Sequence, residues 1–172
     1  MENSKSSSGF VSESLERSVY SLLKKYHITL TTAESATGGL IASTLINVPG
    51  ISEFFQEGYV TYSDAAKIKM IHVKPETIST YGVVSSETAE DMAVSVAELA
   101  GTDAALSVTG VAGPDGGTRE CPVGLVYIGC SLYGEVVTER HIFPGDRQEI
   151  RRAAADRALS LLKERIKNKY HD

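Results

Sequence analysis

The spacing of apolar residues along the chain predicts an alternation of helices and strands. Between residues 15 and 26 they recur every three or four positions, as on one face of a helix, and Ser12 or Ser14 stands where its cap is expected. Residues 28–32 are typical of a short buried strand, and a second helix is predicted after Thr37. The chain thus begins with a helix followed by a strand–helix unit.

The same pattern repeats further along the chain. Residues 58–62 combine β-branched and aromatic side chains, as strands do, and residues 63–70 are typical of a helix. Ser63 is suited to cap that helix, and Lys67 then lies one turn inside it. A second strand–helix unit is therefore predicted here.

The second half of the chain supplies the remaining elements. We predict an alanine-rich helix at residues 86–99 closed by Gly101, a strand at 104–108, an antiparallel hairpin of strands 125–133 and 135–143, and a final helix at about 147–167. This order favours an α/β fold: a three-layer α/β/α unit with a mixed, mostly parallel sheet of about five strands that includes the C-terminal hairpin.

Composition narrows the class of protein. The chain has 172 residues, 42% hydrophobic and 23% charged, which suits one domain with a single core, and its net charge of -5 argues against broad nucleic-acid binding. No apolar run approaches the roughly 20 residues that a membrane span needs. The polar start does not resemble a signal peptide, so we expect a disordered tail at residues 1–10, a single domain at 11–168 and a cytoplasmic location.

The cysteine and histidine residues do not indicate a metal site. Cys121 and Cys130 are too few for a disulfide scaffold, and we expect both to be reduced. Neither has a histidine partner at metal-ligand spacing, and the four histidines are scattered. We therefore predict neither a metal nor a cofactor.

The turn at residues 32–39 is the first candidate for chemistry. Ser35 follows a strand and precedes a helix, where a hydroxyl is exposed beside free backbone N–H groups that can hold an anion or an oxyanion. Thr37, Gly38 and Gly39 complete this candidate binding turn. The alternative is an ordinary turn in which Ser35 or Thr37 caps the helix and the glycines only permit close packing.

Lys67 is a candidate partner for Ser35, because both follow strands and point to the same edge of the sheet. A solvated lysine keeps a pKa near about 10.4, so Lys67 would need burial or a cationic neighbour to lower its pKa before it could act as a base. The alternative is a solvated helix lysine like Lys69. Ser63, four residues before Lys67 on one helix face, is a rival nucleophile, although a capping hydroxyl is committed to backbone N–H groups.

A glycine-rich segment at residues 108–117 is a second candidate binding element. The candidate ligand-binding residues of this segment are Thr109, Gly110, Gly113, Gly116 and Gly117. Glycines at this density allow the backbone to approach a ligand closely. Their spacing matches neither the dinucleotide-binding nor the P-loop pattern, so we expect a binding loop of another geometry.

The start of the last helix carries unusual charges. Asp146 and Glu149 have the spacing of a capping box, while Arg147, Arg151 and Arg152 lie in the first two turns, where the helix dipole disfavours cations. Phosphate or carboxylate recognition would compensate for that placement. Arg147 is therefore a candidate for binding an anionic group.

Together these segments resemble the CinA carboxy-terminal domain family over residues 15–166. The resemblance is carried by TTAESATGG, GYVTYSDAAK, VVSSE, VTGVAGPDGGT, PVG and FPGDR, in the family's order. Stand-alone members of that family are nicotinamide mononucleotide amidohydrolases. The resemblance implies the same three-layer architecture and an amidase that releases ammonia from the nucleotide and yields nicotinate mononucleotide.

The resemblance also implies roles for particular residues. Ser35 would be the nucleophile, Lys67 its general base and Tyr62 a partner of the dyad, while Thr109 and Arg147 would bind and polarise the substrate. The family usually has a cysteine where this chain has Ala36. Alanine cannot act as a nucleophile, so a mechanism that depends on that thiol is excluded.

Two other functions remain open at this stage. One is a non-catalytic nucleotide-binding or regulatory domain of the CinA type, and the other is an amidase for a different pyridine or ribosylamide substrate. CinA proteins join this domain to an amino-terminal partner, whereas this chain begins with a short tail, which favours the enzyme. We expect a small-molecule nucleotide as substrate and a homo-oligomer, with no nucleic-acid or membrane partner.

Overall fold

The computed structural model describes residues 13–172, and the predicted tail at residues 1–10 lies outside them. Within these residues, six helices and five strands are formed. The helices are α1 (Leu15–Tyr26), α2 (Leu40–Leu45), α3 (Asp64–Ile71), α4 (Pro75–Tyr81), α5 (Ser86–Ala100) and α6 (Arg147–Tyr170). The strands are β1 (Leu30–Glu34), β2 (Phe55–Val60), β3 (Ala104–Gly110), β4 (Leu125–Leu132) and β5 (Glu135–Ile142), and a short 3₁₀ turn spans Ile51–Glu53.

The five strands form one mixed sheet in the order β2-β1-β3-β4-β5. Strands β2, β1 and β3 are parallel, while β4 is antiparallel to both β3 and β5. Four strands therefore run in one direction and only β4 runs against them. The predicted fold class, including the antiparallel hairpin of β4 and β5, is confirmed.

Side chains alternate between the two faces of the sheet, as the pleat requires. Leu106 and Val108 face the larger core, which α1, α2 and α6 cover, whereas Ala33 and Ala105 join a smaller cluster with residues of α3 and α5. This alternation generates the three layers. It also fixes the face to which each polar residue of β1 and β3 points.

Local signals account for several helix ends. The Ser63 hydroxyl accepts a hydrogen bond from the Ala66 N–H at 3.1 Å, and Asp146 forms a complete capping box with Glu149. Gly101 ends α5 in the left-handed conformation with φ 64°. Ser14 occupies the cap position of α1, although its side chain makes no capping hydrogen bond.

The structure differs from the predicted elements at β1, β2, α2 and α4. Strand β1 begins at Leu30 and β2 ends at Val60, each about two residues from the predicted bound. Helix α2 has only six residues. Helix α4 was not predicted, because none of its residues is buried and it therefore lacks an apolar stripe. Pro75 at its first position is its clearest local signal.

Candidate active site

Three neighbouring parallel strands bring their carboxyl ends to one edge of the sheet. Glu34 is in register with Val60 of β2 and Val108 of β3. The Ser35 N–H donates to the Val108 carbonyl at 3.0 Å, and the Thr61 N–H donates to the Glu34 carbonyl at 2.9 Å. Residues just beyond these strand ends are thereby fixed by the backbone ladder, at the edge where ligands bind in open α/β sheets.

Ser35 and Lys67 are in direct contact at this edge. The Lys67 Nζ lies 3.1 Å from the Ser35 Oγ and donates to the Thr61 carbonyl at 3.0 Å. Lys67 is 1% exposed and Ser35 8% exposed. Within residues 13–172, no carboxylate forms an ion pair with Lys67.

Burial is the main influence on the charge of Lys67. Removal of the ammonium from water lowers the pKa of Lys67 below its usual value, and the Asp64 carboxylate opposes this only in part. A lysine with a lowered pKa is more often neutral and can accept a proton from a hydroxyl. The solvated alternative for Lys67 is therefore wrong.

A cavity of about 230 Å³ opens beside this pair. It is lined by Ser35, Ala36, Tyr62, Asp64, Lys67, Val83, Val84, Thr109, Gly110, Ala112 and Arg147. Six of the candidate site residues predicted from the sequence therefore line one cavity: Ser35, Tyr62, Lys67, Thr109, Gly110 and Arg147. The rival nucleophile Ser63 does not line it, and its hydroxyl caps α3.

Tyr62 contacts Arg147 rather than the serine–lysine pair. The Tyr62 hydroxyl accepts from the Arg147 Nη2 at 2.8 Å, and the Arg147 Nη1 donates to the Gly113 carbonyl at 2.6 Å. Among the described residues, no hydrogen bond joins Tyr62 to Ser35 or Lys67. Because Tyr62 is 64% exposed, this pair holds a guanidinium at the solvent side of the cavity.

Thr109 lies deeper in the same cavity. Its hydroxyl donates to the Val83 carbonyl at 2.7 Å, and the residue is 1% exposed. This hydrogen bond fixes the segment whose residues Val83 and Val84 line the cavity, and it uses the hydroxyl hydrogen of Thr109. Only the oxygen lone pairs of Thr109 remain for a ligand.

The family model of the CinA C-terminal domain matches residues 12–166. This chain belongs to that family. A CinA-like protein of Kosmotoga olearia is 50% identical over 155 residues, which cover 90% of this chain and 38% of the relative. A putative competence-damage inducible protein of Clostridium novyi is 50% identical over 152 residues, covering 88% and 37%. The chain thus spans little more than a third of these relatives.

Solved structures of the family share the fold. A CinA superfamily protein from Klebsiella pneumoniae superposes with a TM-score of 0.87 at 34% identity, covering 90% of this chain and 96% of its own. A CinA superfamily protein from Enterobacter cloacae superposes with a TM-score of 0.86 at 31% identity, covering 96% and 98%. These likenesses extend over nearly the whole CinA domain.

The turn after β1 of this CinA domain is organised by Glu34, a residue that sequence reasoning missed. Its carboxylate is 1% exposed and accepts from the N–H groups of Gly39, Ile41 and Ala42 at 3.0, 3.0 and 2.9 Å. These are the free donors at the start of α2. An acidic residue just before a strand-to-helix turn was the available signal.

Glu34 corrects the expected binding role of the glycines in this turn. The Gly39 N–H is committed to Glu34 and the Gly38 N–H to the Ser35 carbonyl. Thr37 is fully buried, and its carbonyl accepts a hydrogen bond from Arg151 at 2.8 Å. None of the three residues Thr37, Gly38 and Gly39 lines the cavity. A phosphate at the start of α2 would meet the Glu34 carboxylate.

Two backbone donors of the turn remain available beside the serine. Within residues 13–172, the N–H groups of Ala36 and Thr37 have no hydrogen-bond acceptor. Ala36 is 6% exposed and lines the cavity at the position where the family usually has cysteine. Of these two residues only Ala36 lines the cavity, so its N–H is the backbone donor beside Ser35 that could bind an oxyanion there.

Most glycines of the loop after β3 serve packing rather than the cavity. A Cβ at Gly113 or Gly117 would lie 2.5 or 2.9 Å from a Val123 methyl group, whereas one at Gly116 would meet open space, although its φ of 84° favours glycine. Only Gly110 lines the cavity of Ser35. The loop folds around Val123, which the spacing of its glycines does not reveal.

Residues 13–172 contain neither a metal-binding cluster nor a membrane-spanning helix. No three His, Cys, Asp or Glu side chains there are grouped so that they could hold a metal ion. Over the same residues, no helix has the length and apolar character needed to cross a membrane. The serine–lysine cavity is the arrangement with the most distinct chemistry in this part of the chain.

Proposed function

We propose that this CinA domain is an amidohydrolase that converts nicotinamide mononucleotide to nicotinate mononucleotide and ammonia. Ser35 is the nucleophile and Lys67 the general base. The observation that carries the proposal is the 3.1 Å contact between the Ser35 Oγ and the buried Nζ of Lys67, whose pKa is lowered by burial. A serine becomes a competent nucleophile when a neutral base accepts its proton.

The first step of the proposed reaction forms an acyl-enzyme. Ser35 Oγ attacks the carboxamide carbon while its proton passes to the neutral Lys67 Nζ. The Thr61 carbonyl, 3.0 Å from that nitrogen, fixes the amine so that its lone pair faces the hydroxyl. The positive ring of the substrate withdraws electrons from the amide and makes its carbon more susceptible to attack.

The tetrahedral intermediate carries a negative charge on the former carbonyl oxygen. The N–H group of Ala36, which lines the cavity, is the donor proposed to hold it, in place of the glycine donors expected from the sequence. Preorganised donors of this kind stabilise the charge that develops in the transition state. Glu34 keeps the turn in shape by occupying the donors further along.

Ammonia then leaves and the acyl-enzyme is hydrolysed. The C–N bond breaks as the leaving nitrogen takes the proton from Lys67, which is neutral again. Water attacks the ester and passes its proton to Lys67, and Ser35 recovers a proton as the C–O bond to the enzyme breaks. One amide and one water become one carboxylic acid and one ammonia.

Arg147 is the proposed partner of the substrate's phosphate. Its guanidinium lines the cavity and is held by Tyr62 and the Gly113 carbonyl, which orients it with few accessible rotamers. A guanidinium with remaining N–H donors suits a phosphate. In this proposal Tyr62 acts by positioning Arg147.

The test is an ammonia-release assay on a panel of nucleotide amides, with nicotinamide mononucleotide, its nucleoside and unrelated carboxamides. We expect release from the mononucleotide by the wild type and none by Ser35→Ala. Release from a different amide alone would point to another substrate. Binding of the nucleotide without any release of ammonia would favour a non-catalytic nucleotide-binding domain.

A further inference from the structure

Asp64 is a charged residue of the cavity to which the proposed reaction gives no role. It occupies the first position of α3, three residues before Lys67, and it is exposed. It lines the cavity beside Tyr62 and Lys67. Within residues 13–172 its carboxylate makes neither a side-chain hydrogen bond nor an ion pair.

The charges that line the cavity have opposite signs. Arg147 contributes a guanidinium, Asp64 a carboxylate, and Lys67 is the other ionisable amine. Asp64 and Arg147 thus contribute one charge of each sign to the cavity wall, while burial lowers the pKa of the amine of Lys67. Complementary potentials select partners by penalising the wrong charge.

We infer that Asp64 determines specificity by selecting amides carried on a cationic, N-substituted pyridinium ring. The inference rests on the proposed amidase and deepens it. Asp64 and Lys67 are one helical turn apart on the same helix, so they share a face. A pyridinium ring held beside Asp64 is therefore also beside Lys67 and Ser35, while the phosphate extends toward Arg147.

The same carboxylate favours departure of the product. Hydrolysis converts the neutral carboxamide into a carboxylate on the same ring, close to Ser35. Asp64 attracts the ring of the substrate but repels the group that the reaction creates. The cavity thus discriminates between a cation with a neutral amide and the corresponding zwitterion.

The test compares two ligands that differ in the charge of the ring. Nicotinamide mononucleotide and its reduced 1,4-dihydropyridine form share the ribose, phosphate and carboxamide, but only the first has a cationic ring. Dissociation constants are measured by calorimetry in a Ser35→Ala background, where no turnover occurs. Asp64→Asn should weaken binding of the cation by about three- to tenfold and leave that of the neutral ligand nearly unchanged.

Two variants control the comparison. Asp64→Glu, which keeps the charge, should retain most of the preference for the cation. Asp115→Asn makes the same change in net charge on the exposed glycine-rich loop, outside this cavity, and should leave both constants unchanged. Equal weakening of both ligands by Asp64→Asn, or no weakening of either, would overturn the inference.

Failure of the proposed reaction is measured separately. An enzyme with Ser35 intact that releases no ammonia from any pyridinium amide contradicts the amidase. The ratio of the two dissociation constants is obtained without turnover and still decides the role of Asp64. Loss of the preference in Asp64→Asn with normal thermal unfolding supports the inference, and a preference that persists refutes it.

Discussion

Lys67 is a buried ionisable side chain and Glu139 a partly buried one, and their surroundings differ. Glu139 on β5 accepts two hydrogen bonds from Arg157 of α6, at 2.8 and 2.7 Å, and pairs with His141. The Arg157 guanidinium in particular lowers the pKa of Glu139 from 4.5 to about 2. Lys67 has a serine hydroxyl and a carbonyl as partners instead.

The first environment stabilises the charged form of its side chain, and the second destabilises it. The network around Glu139 stabilises its charge and ties β5 to α6, which is a structural role. The surroundings of Lys67 destabilise its charged form, which costs folding free energy. Such a cost is typical of functional sites, where a neutral amine can act as a base. The stabilising ion pair thus lies apart from the amine to which the proposed reaction assigns the role of base.

The largest effect is expected for the nucleophile. Ser35→Ala should lower kcat by more than about 10³-fold without unfolding the protein, because the attacking atom is removed. Ser63→Ala, the matched control, should keep its turnover and lose about 1 kcal/mol of stability with the α3 cap. Ammonia release and thermal unfolding check the pair. Retained turnover in Ser35→Ala with loss in Ser63→Ala would reverse the assignment.

Replacement of the base tests the contrast directly. Lys67→Arg should lower turnover by about 10²- to 10⁴-fold although it keeps a positive charge, because a guanidinium does not release its proton in this range. In the wild type, kcat/KM should rise with pH through the lowered pKa of Lys67. Near-wild-type turnover of Lys67→Arg would show that the residue acts as a fixed charge.

The burial of Lys67 also predicts how the unfolding free energy depends on pH. Since burial lowers the pKa of Lys67, the folded state binds fewer protons than the unfolded state between that lowered pKa and 10.5. The unfolding free energy should therefore gain from this group as pH rises across that window. Lys67→Met should remove this pH dependence in denaturant titrations. An unchanged slope would contradict the burial of a titrating amine.

Arg147 should show a smaller and more selective effect. Arg147→Ala should lower kcat/KM for the nucleotide by about 10- to 100-fold and affect the nucleoside less, because only the nucleotide has a phosphate. Arg152→Ala, an exposed arginine of the same helix outside the cavity, is the control. Equal decreases in kcat/KM for the nucleotide and the nucleoside would show that Arg147 does not bind the phosphate.

The smallest effect is expected at the ion pair between Glu139 and Arg157. Glu139→Gln should cost about 1–2 kcal/mol at neutral pH and leave turnover unchanged. Its folded pKa is lowered, so the stabilisation is present above about pH 4.5 and is lost as pH falls toward 2. Glu164→Gln, which removes the more exposed partner of Arg157, should cost less. Acid unfolding curves distinguish the two.

The sequence was most informative where local spacing and topology agree. Ser35 and Lys67 each follow a strand of a strand–helix unit, and parallel neighbours end at one edge, so their proximity was predictable. Their hydrogen bond agrees with that expectation, while their catalytic roles stay predictions. The capping function of Ser63 followed from its position alone.

Contacts between distant segments were beyond such reasoning. Thr109 bonds to Val83, and Tyr62 to Arg147, only because loops far apart in the chain are folded together. Glycine density suggested a ligand at residues 113–117, yet Gly113 and Gly117 accommodate Val123. A high glycine content indicates that the backbone makes a close contact, but it does not show whether the contacting group is a ligand or a side chain of the protein.

The alternation of side chains along β1 has a consequence for how this protein can change. Glu34 points to the face covered by α2, and Ser35 to the face of α3. The larger core behind Glu34 meets the cavity in front of Ser35 at Ala36 and Ala112, which belong to that core and also line the cavity. Substitutions elsewhere in that core can accumulate, or be engineered for thermostability, without changing the residues that line the cavity.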